Sequence, residues 1–276
     1  MKFGKFEVFA ASDGVGWFDG GGIFGVVPKP LWSRYVQADE QNRVPVGLNS
    51  LVVRTPSCTA LIDAGMGWED WPPKTRRIYN LDNSVNLIDS LKKLGIEPGD
   101  IDLVLLTHLH IDHIGWCLIG GKPVFAKAKH ILQKQEWHDA THPHPVRKGA
   151  YLPHQFMGLK EHGLLELIEG DAEIVPGIRA IAAGGHTLGY QTFMVESGGE
   201  KLFFLGETVG SPVHIKPHYL MAYDLYPVQV AEFKVDIIRR GIKEDWLFFF
   251  QHDPKHTFAR FEDDGDGGAK VVPCAP

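Results

Sequence analysis

The sequence is poor in cysteine, in long apolar runs and in positive charge. Its three cysteines, Cys58, Cys117 and Cys274, are too few and too widely spaced for a disulfide framework or a structural zinc knuckle. No apolar run approaches the roughly 20 residues of a membrane span. The first residues lack the apolar stretch of a signal peptide. We therefore expect a soluble cytoplasmic protein without a membrane partner.

Positive charge is scarce because 28 lysines and arginines stand against 34 aspartates and glutamates, a net charge of −6. Without a dense basic tract, nucleic acid is not an expected partner. With 44% hydrophobic and 22% charged residues, the composition is that of a globular protein and excludes a mostly disordered chain. Histidine is abundant by contrast, since 14 are present and several lie close together.

The pattern along the chain predicts a layered α/β protein. A continuous apolar run at 101–106 is typical of a buried strand. Amphipathic helices are predicted from Ser84, a possible cap, to Gly95, and again after Pro227. Further strand-like runs lie at 178–182, 192–196, 201–205 and 246–250. Strands in blocks with helices between them, and no linker, indicate one domain over residues 1–276.

Three imidazoles and a carboxylate occur within six residues, directly after the buried run at 101–106. They are His108, His110, Asp112 and His113. Side chains that follow a strand can converge on a metal ion from a turn. Imidazole and carboxylate ligands suit zinc, iron or manganese, so the spacing predicts a metal site.

Three more potential ligands follow downstream, each in a turn or at the end of an apolar run. They are His186 in a glycine-rich turn, Glu207 after the run at 201–205, and His252 after the run at 246–250. Alone, each histidine would more often be structural. After the complete HxHxDH motif, the order His, acid, His favours one shared metal site held by rigid strand ends.

Together these pieces resemble the metallo-β-lactamase superfamily. The matching pieces, in the family's order, are residues 61–65, residues 107–115, His186-Thr187, Gly206-Glu207-Thr208 and His252. The resemblance implies a four-layer αββα sandwich with a dinuclear metal site at one edge of the sheets. It also implies two ligand sets, namely His108, His110 and His186 for one metal and Asp112, His113 and His252 for the other, with residue 207 bridging both.

Residue 207 departs from the family pattern, which usually has Asp at the bridging position. Glu207 offers the same two oxygens on a side chain one methylene longer. It can bridge if its strand sits slightly back, bind one metal only, or swing away and leave a mononuclear site. A purely structural Glu207 is the remaining alternative.

Two cations held about 3.5–4 Å apart would turn a bridging water into a nucleophilic hydroxide and polarise a carbonyl or phosphoryl oxygen. Asp112 is the candidate catalytic residue, because it would orient the nucleophile and could pass a proton to the leaving group. Asp63 and Thr107 are expected to hydrogen-bond to the ligands, although Asp63 could be a simple turn residue. We expect two divalent transition-metal ions, zinc by default, with iron or manganese as alternatives.

Within the superfamily, the segment Asp19–Pro28 with Leu31-Trp32 resembles the N-terminal loop of the lactonase and organophosphate-hydrolase branch. Large apolar side chains here, such as Phe24 and Trp32, can wall a substrate pocket. They can equally fill the core or form a homodimer contact.

Two further groups bear on the substrate site. The six histidines between 130 and 162 predict a solvent-facing or pocket-capping loop in preference to a second metal site, since their spacing is irregular. Tyr190, Tyr219 and Tyr223 are candidates to donate a hydrogen bond to a substrate oxygen, and the sequence does not choose among them.

The favoured function is a metal-dependent hydrolase of a small ester-type substrate, above all a lactone. A thioester hydrolase of the glyoxalase II type would want a cationic patch, and none is evident. A phosphotriesterase is a further alternative. So is a non-catalytic or redox dimetal protein, although the redox subset usually carries Glu in the first motif, where this chain has His110. A nuclease conflicts with the net charge of −6, and a β-lactamase stays possible but is disfavoured by the lack of an export signal.

Overall fold

The computed structural model describes residues 1–81, 84–265 and 268–274, and most of its strands form two seven-stranded sheets. The strands of the first half are β1 (Lys2–Phe3), β2 (Phe6–Asp19), β3 (Arg43–Arg54), β4 (Thr59–Ile62), β5 (Leu103–Leu105), β6 (Leu118–Ile119), β7 (Lys122–Pro123), β8 (Lys129–Gln133) and β9 (Leu165–Ile168). Those of the second half are β10 (Ala172–Val175), β11 (Ile178–Ala182), β12 (Gln191–Ser197), β13 (Glu200–Phe204), β14 (Leu247–Phe249), β15 (Phe258–Asp263) and β16 (Ala269–Cys274).

Helices fill the connections between the strands. They are α1 (Gly20–Phe24), α2 (Lys29–Trp32), α3 (Pro73–Ile78), α4 (Leu87–Lys93), α5 (Lys134–Thr141), α6 (Met157–Glu161) and α7 (Pro227–Lys243). Within the described ranges, no helix combines the length and the apolar character needed to cross a bilayer.

The strand order places the chemistry-bearing turns at one edge. The first sheet runs β1-β2-β3-β4-β5-β8-β9 and the second runs from β10 to β16 in sequence order, while β6 and β7 form a separate hairpin. The pairs β4–β5, β5–β8, β8–β9 and β13–β14 are parallel. Because parallel strands end at the same edge of a sheet, the turns after β4 and β5 lie side by side at one edge of the first sheet. The turns after β13 and β14 likewise lie side by side at one edge of the second sheet.

Side chains alternate between two apolar layers along the central strands. Leu105 on β5 and Phe249 on β14 lie in the core between the sheets. Their neighbours Val104 and Phe248 pack on the outer faces, against the helices. Helices α4, α5 and α6 cover the first sheet and α7 covers the second. The fold is therefore the αββα sandwich that the family resemblance implies.

Several element ends differ from the sequence prediction. The side chain of Asn86 accepts a hydrogen bond from the backbone N–H of Asp89 at 2.8 Å, so Asn86 caps α4 in place of the predicted Ser84. The predicted strand at 101–106 shortens to β5. The histidine-rich segment, predicted as a loop, contains α6 and two short 3₁₀ helices, Lys148–Ala150 and Pro153–Gln155.

Candidate metal centre

All seven side chains that the sequence proposes as ligands meet in two neighbouring groups at this edge. The three-histidine group is His108, His110 and His186, and the mixed group is Asp112, His113, Glu207 and His252. Within each group, one donor atom from every residue lies within 4.8 Å of the others. The rings of His108 and His113 are 4.0 Å apart between centroids, so the two groups adjoin.

A chain of hydrogen bonds fixes the ring of His108. The hydroxyl of Thr107 donates to Oδ2 of Asp63 at 2.9 Å and its backbone N–H donates to Oδ1 at 2.8 Å. The hydroxyl oxygen therefore accepts from Nδ1 of His108, 2.9 Å away. The free lone pair of the His108 ring is therefore on Nε2. This atom is buried and has no hydrogen-bond partner among the described residues. Asp63 and Thr107 thus occupy the supporting positions expected of them.

His113 and His252 both point a ring nitrogen at one oxygen of Glu207. Nδ1 of His113 donates to Asp63 and Nδ1 of His252 donates to the carbonyl of Gly47, each at 2.9 Å. Their Nε2 atoms lie 2.9 and 3.0 Å from Oε1 of Glu207. In neutral rings these nitrogens would carry lone pairs, and lone pairs facing a carboxylate require a cation or proton between them. The donor set therefore fits a metal ion.

The position of Glu207 depends on the turn after β13. Gly206 adopts a positive φ of 47°, a conformation that favours glycine. The backbone N–H of Glu207 donates to the hydroxyl of Tyr190 at 2.9 Å. Burial would raise the pKa of Glu207, but His252 and His186, together with the close contacts to His113 and His252, hold the pKa well below its usual range. Its Oε2 is buried and has no partner in the described part of the chain.

His186 is oriented by Asp224, a residue that sequence reasoning missed. Nδ1 of His186 donates to Oδ1 of Asp224 at 2.8 Å, and both side chains are buried. Nε2 of His186 then faces Nδ1 of His110 at 3.1 Å. Burial and the neighbouring imidazoles hold the pKa of His108 and of His110 well below the usual range. Neutral imidazole is the form that binds metal.

Asp112 lies at the boundary between the mixed group and open space. One of its carboxylate oxygens is 3.6 Å from Nε2 of His113, and its side chain is 14% exposed. It lines a cavity of about 670 Å³, which His110, His186, Glu207 and His252 also line. Five of the seven proposed ligands therefore face a space large enough for a small molecule.

The remaining wall of the cavity is largely apolar. It includes Trp17, Phe18, Phe24, Val44, Val46 and Ile111. Trp32 is 2% exposed and stacks behind Phe24, with ring centroids 4.8 Å apart. Of the two expected wall residues, Phe24 contributes to the wall and Trp32 supports it from the core.

The cavity separates the three candidate tyrosines. Tyr223 lines it, whereas Tyr190 is buried under Glu207 and Tyr219 is buried in the core beside the cavity. Burial, with the nearby groups Tyr79 and Asp112, raises the pKa of Tyr223 to about 12. Its hydroxyl therefore keeps its proton near neutral pH.

The histidine-rich segment forms part of the rim of the cavity. Five of its six histidines are exposed, and His130 is buried in β8. Within the described residues, none of the six belongs to a metal-binding group. The segment also contributes Arg147, which lines the cavity and donates to the carbonyl of Tyr223. Its Nε is buried and unpartnered among the residues described.

Comparison with known proteins accounts for this arrangement. Residues 43–252 match the metallo-β-lactamase superfamily. The chain belongs to the metallo-β-lactamase superfamily. A solved structure of a probable metal-dependent hydrolase from Staphylococcus aureus is 32% identical, with a TM-score of 0.92 over 100% of this chain and 99% of that one. AidC, a dizinc quorum-quenching lactonase, has a TM-score of 0.81 at 22% identity over 100% of this chain and 97% of its own.

Curated relatives in the superfamily match a shorter stretch. An N-acyl homoserine lactonase from Bacillus thuringiensis is 33% identical over 111 residues, which is 40% of this chain and 39% of the relative. The lactonase AttM from Agrobacterium fabrum is 34% identical over 130 residues, or 45% of this chain and 47% of the relative. The chain thus matches less than half of the length of these curated relatives.

Proposed function

We propose that this chain is a metal-dependent hydrolase of small esters and that lactones are its preferred substrates. One observation carries the proposal: two adjoining groups of metal donors open directly into a cavity with largely apolar walls. A mostly apolar pocket with a few convergent polar groups is the usual form of a small-molecule site. The matched lactonase relatives support the choice of substrate.

We assign one divalent cation, zinc by default, to each group. His108, His110 and His186 would hold the first, and Asp112, His113 and His252 would hold the second. Glu207 would join the second set, since its Oε1 contacts His113 and His252, and we infer from its buried, unpartnered Oε2 that it would also serve the first ion. When bound, two such cations supply Lewis-acid polarisation of the ester carbonyl and lower the pKa of water.

The remaining chemistry falls to cavity residues. The carboxylate of Asp112 would accept a proton from the attacking water and then deliver that proton to the leaving alkoxide. The protonated hydroxyl of Tyr223 would donate to the substrate carbonyl oxygen as negative charge develops there. Arg147, with its unpartnered Nε, would attract the carboxylate that ester hydrolysis produces.

The walls of the cavity distinguish the candidate substrates. The apolar side chains suit an acyl chain or another apolar substituent on the ester. The cations among the described lining residues are Arg147 and Lys255, and Asp253, which also lines the cavity, lies two positions before Lys255. Such a pair is no cationic patch for the carboxylates of a glutathione thioester.

We further propose that residues 1–276 form one domain of a cytoplasmic protein.

A substrate panel tests the proposal. Zinc-loaded protein would be assayed with an N-acyl homoserine lactone, an open-chain ester, a phosphotriester and a glutathione thioester. We expect the highest kcat/KM for the lactone, and loss of that activity in His110→Ala. A protein that leaves the lactone intact, or a His110→Ala variant that hydrolyses it as well as the wild type, would overturn the assignment.

A further inference from the structure

Glu136, in the first turn of α5, is fully buried and has no role in the chemistry described above. No lysine or arginine within the described ranges forms an ion pair with it. Burial raises its pKa, and hydrogen bonds from Thr187, Leu109 and Tyr151 oppose that rise. A buried carboxylate is costly unless donors satisfy it, so these three donors explain how Glu136 is accommodated.

The two oxygens of Glu136 hold two different segments of the metal site. Oε1 accepts from the backbone N–H of Leu109 at 3.0 Å, and Leu109 lies between His108 and His110. Oε2 accepts from the hydroxyl of Thr187 at 2.6 Å, and Thr187 directly follows His186. A single carboxylate therefore ties together the two chain segments that supply the three-histidine group.

Two further contacts tighten this connection. Gly189, at the end of the His186 turn, packs so closely on the backbone of Glu136 that an added Cβ would collide with it. The hydroxyl of Tyr151 also donates to Oε1 at 3.2 Å, and its ring lies 5.2 Å from that of His110. The start of α5 is thus in direct contact with both sides of the group.

We propose that Glu136 is a positioning residue that clamps the three-histidine group and sets its affinity for metal. Hydrogen-bond partners one step removed from the ligands fix ligand orientation, and their loss typically weakens metal binding about 10–100-fold. Without the carboxylate, the N–H of Leu109 and the hydroxyl of Thr187 would be buried without partners. The inference rests on the proposed metal sites.

Separate measurement of the two groups tests the clamp. In the H113A/H252A background the three-histidine group remains, and in the H110A/H186A background the mixed group remains. Zinc affinity would be measured in each background by competition with a fluorescent chelator, with and without Glu136→Ala. In the first background, we expect Glu136→Ala to weaken zinc binding about 10–100-fold. In the second background, we expect the same substitution to leave zinc affinity unchanged.

Controls separate positioning from general loss of stability. Asp13 is another buried carboxylate, with donors at Met66, Gly67, Leu87 and Trp116, and none of these is a proposed ligand. Asp13→Ala should leave zinc binding by the three-histidine group unchanged. If Glu136→Ala does not fold, Thr187→Val serves in its place, because it removes only the hydroxyl that donates to Oε2 of Glu136. It should lower the zinc affinity of the three-histidine group about fivefold.

Each outcome decides the question. Equal zinc affinity with and without the carboxylate, in folded protein of the first background, overturns the clamp. An equal loss in both backgrounds, or the same loss in Asp13→Ala, also overturns it, because the effect would then be general destabilisation. If H113A/H252A itself binds no zinc, the metal assignment fails, and the clamp fails with it.

Discussion

Nε2 of His113 lies 2.9 Å from Oε1 of Glu207, while its other ring nitrogen donates to a buried carboxylate. The side chain of Glu207 therefore reaches the histidines of the mixed group despite its extra methylene. Its second oxygen is buried and unpartnered among the described residues, on a group whose pKa is well below the usual range. The negative charge and the reach of this side chain can be tested separately.

Glu207→Gln should be more damaging than Glu207→Asp. Asp keeps two anionic oxygens but is shorter, so we expect weaker binding of the second metal ion and moderately slower hydrolysis. Gln removes the negative charge that neutralises two dications, so both metal content and kcat should fall further. Metal analysis and lactone kinetics on the two variants measure the difference. If Gln is tolerated as well as Asp at equal metal occupancy, Glu207 does not bridge.

Asp112→Asn and His110→Ala should each reduce kcat/KM by roughly 10³-fold or more, since each removes a ligand from a different group. Both variants should still fold, because the core lies between the sheets and not at the metal site. Kinetics on metal-loaded protein and thermal unfolding by circular dichroism check both statements. Near-normal turnover by either metal-loaded variant would place the active site elsewhere.

Tyr223→Phe should lower kcat/KM for a lactone by roughly 100-fold, the usual effect of removing one donor to a developing oxyanion. Metal content should not change, because the hydroxyl is not a proposed ligand. Tyr35→Phe is the matched control, since Tyr35 lines the same cavity but its side chain is 57% exposed. Equal kinetics in the two variants would remove Tyr223 from the mechanism.

Sequence patterns were sufficient for a layered α/β protein and for one shared site of the seven donors, whereas the αββα sandwich came from the family resemblance. Each donor follows an apolar run or a glycine turn, and parallel strands such as β13 and β14 bring their ends to one edge. The order of the motifs then matched a family. The expected single domain and the cytoplasmic location stay predictions.

The supporting residues could not be found in the same way. Asp224 hydrogen-bonds to His186 across 38 positions, and Glu136 contacts Thr187 across 51. Neither lies in a recognisable motif, and both depend on how distant turns and helices pack. The choice of Tyr223 among three tyrosines also depends on which side chain faces the cavity. Asn86 replaced Ser84 as a cap because the first turn of α4 begins two residues later.

Zinc titration of metal-free protein, followed by hydrolysis of N-hexanoyl homoserine lactone, tests the central claim most directly. A two-metal hydrolase predicts that the rate rises with added zinc and reaches its plateau at about two equivalents per chain. A plateau at one equivalent would contradict the dinuclear site. A lactone left intact at every zinc concentration would contradict the proposed activity itself.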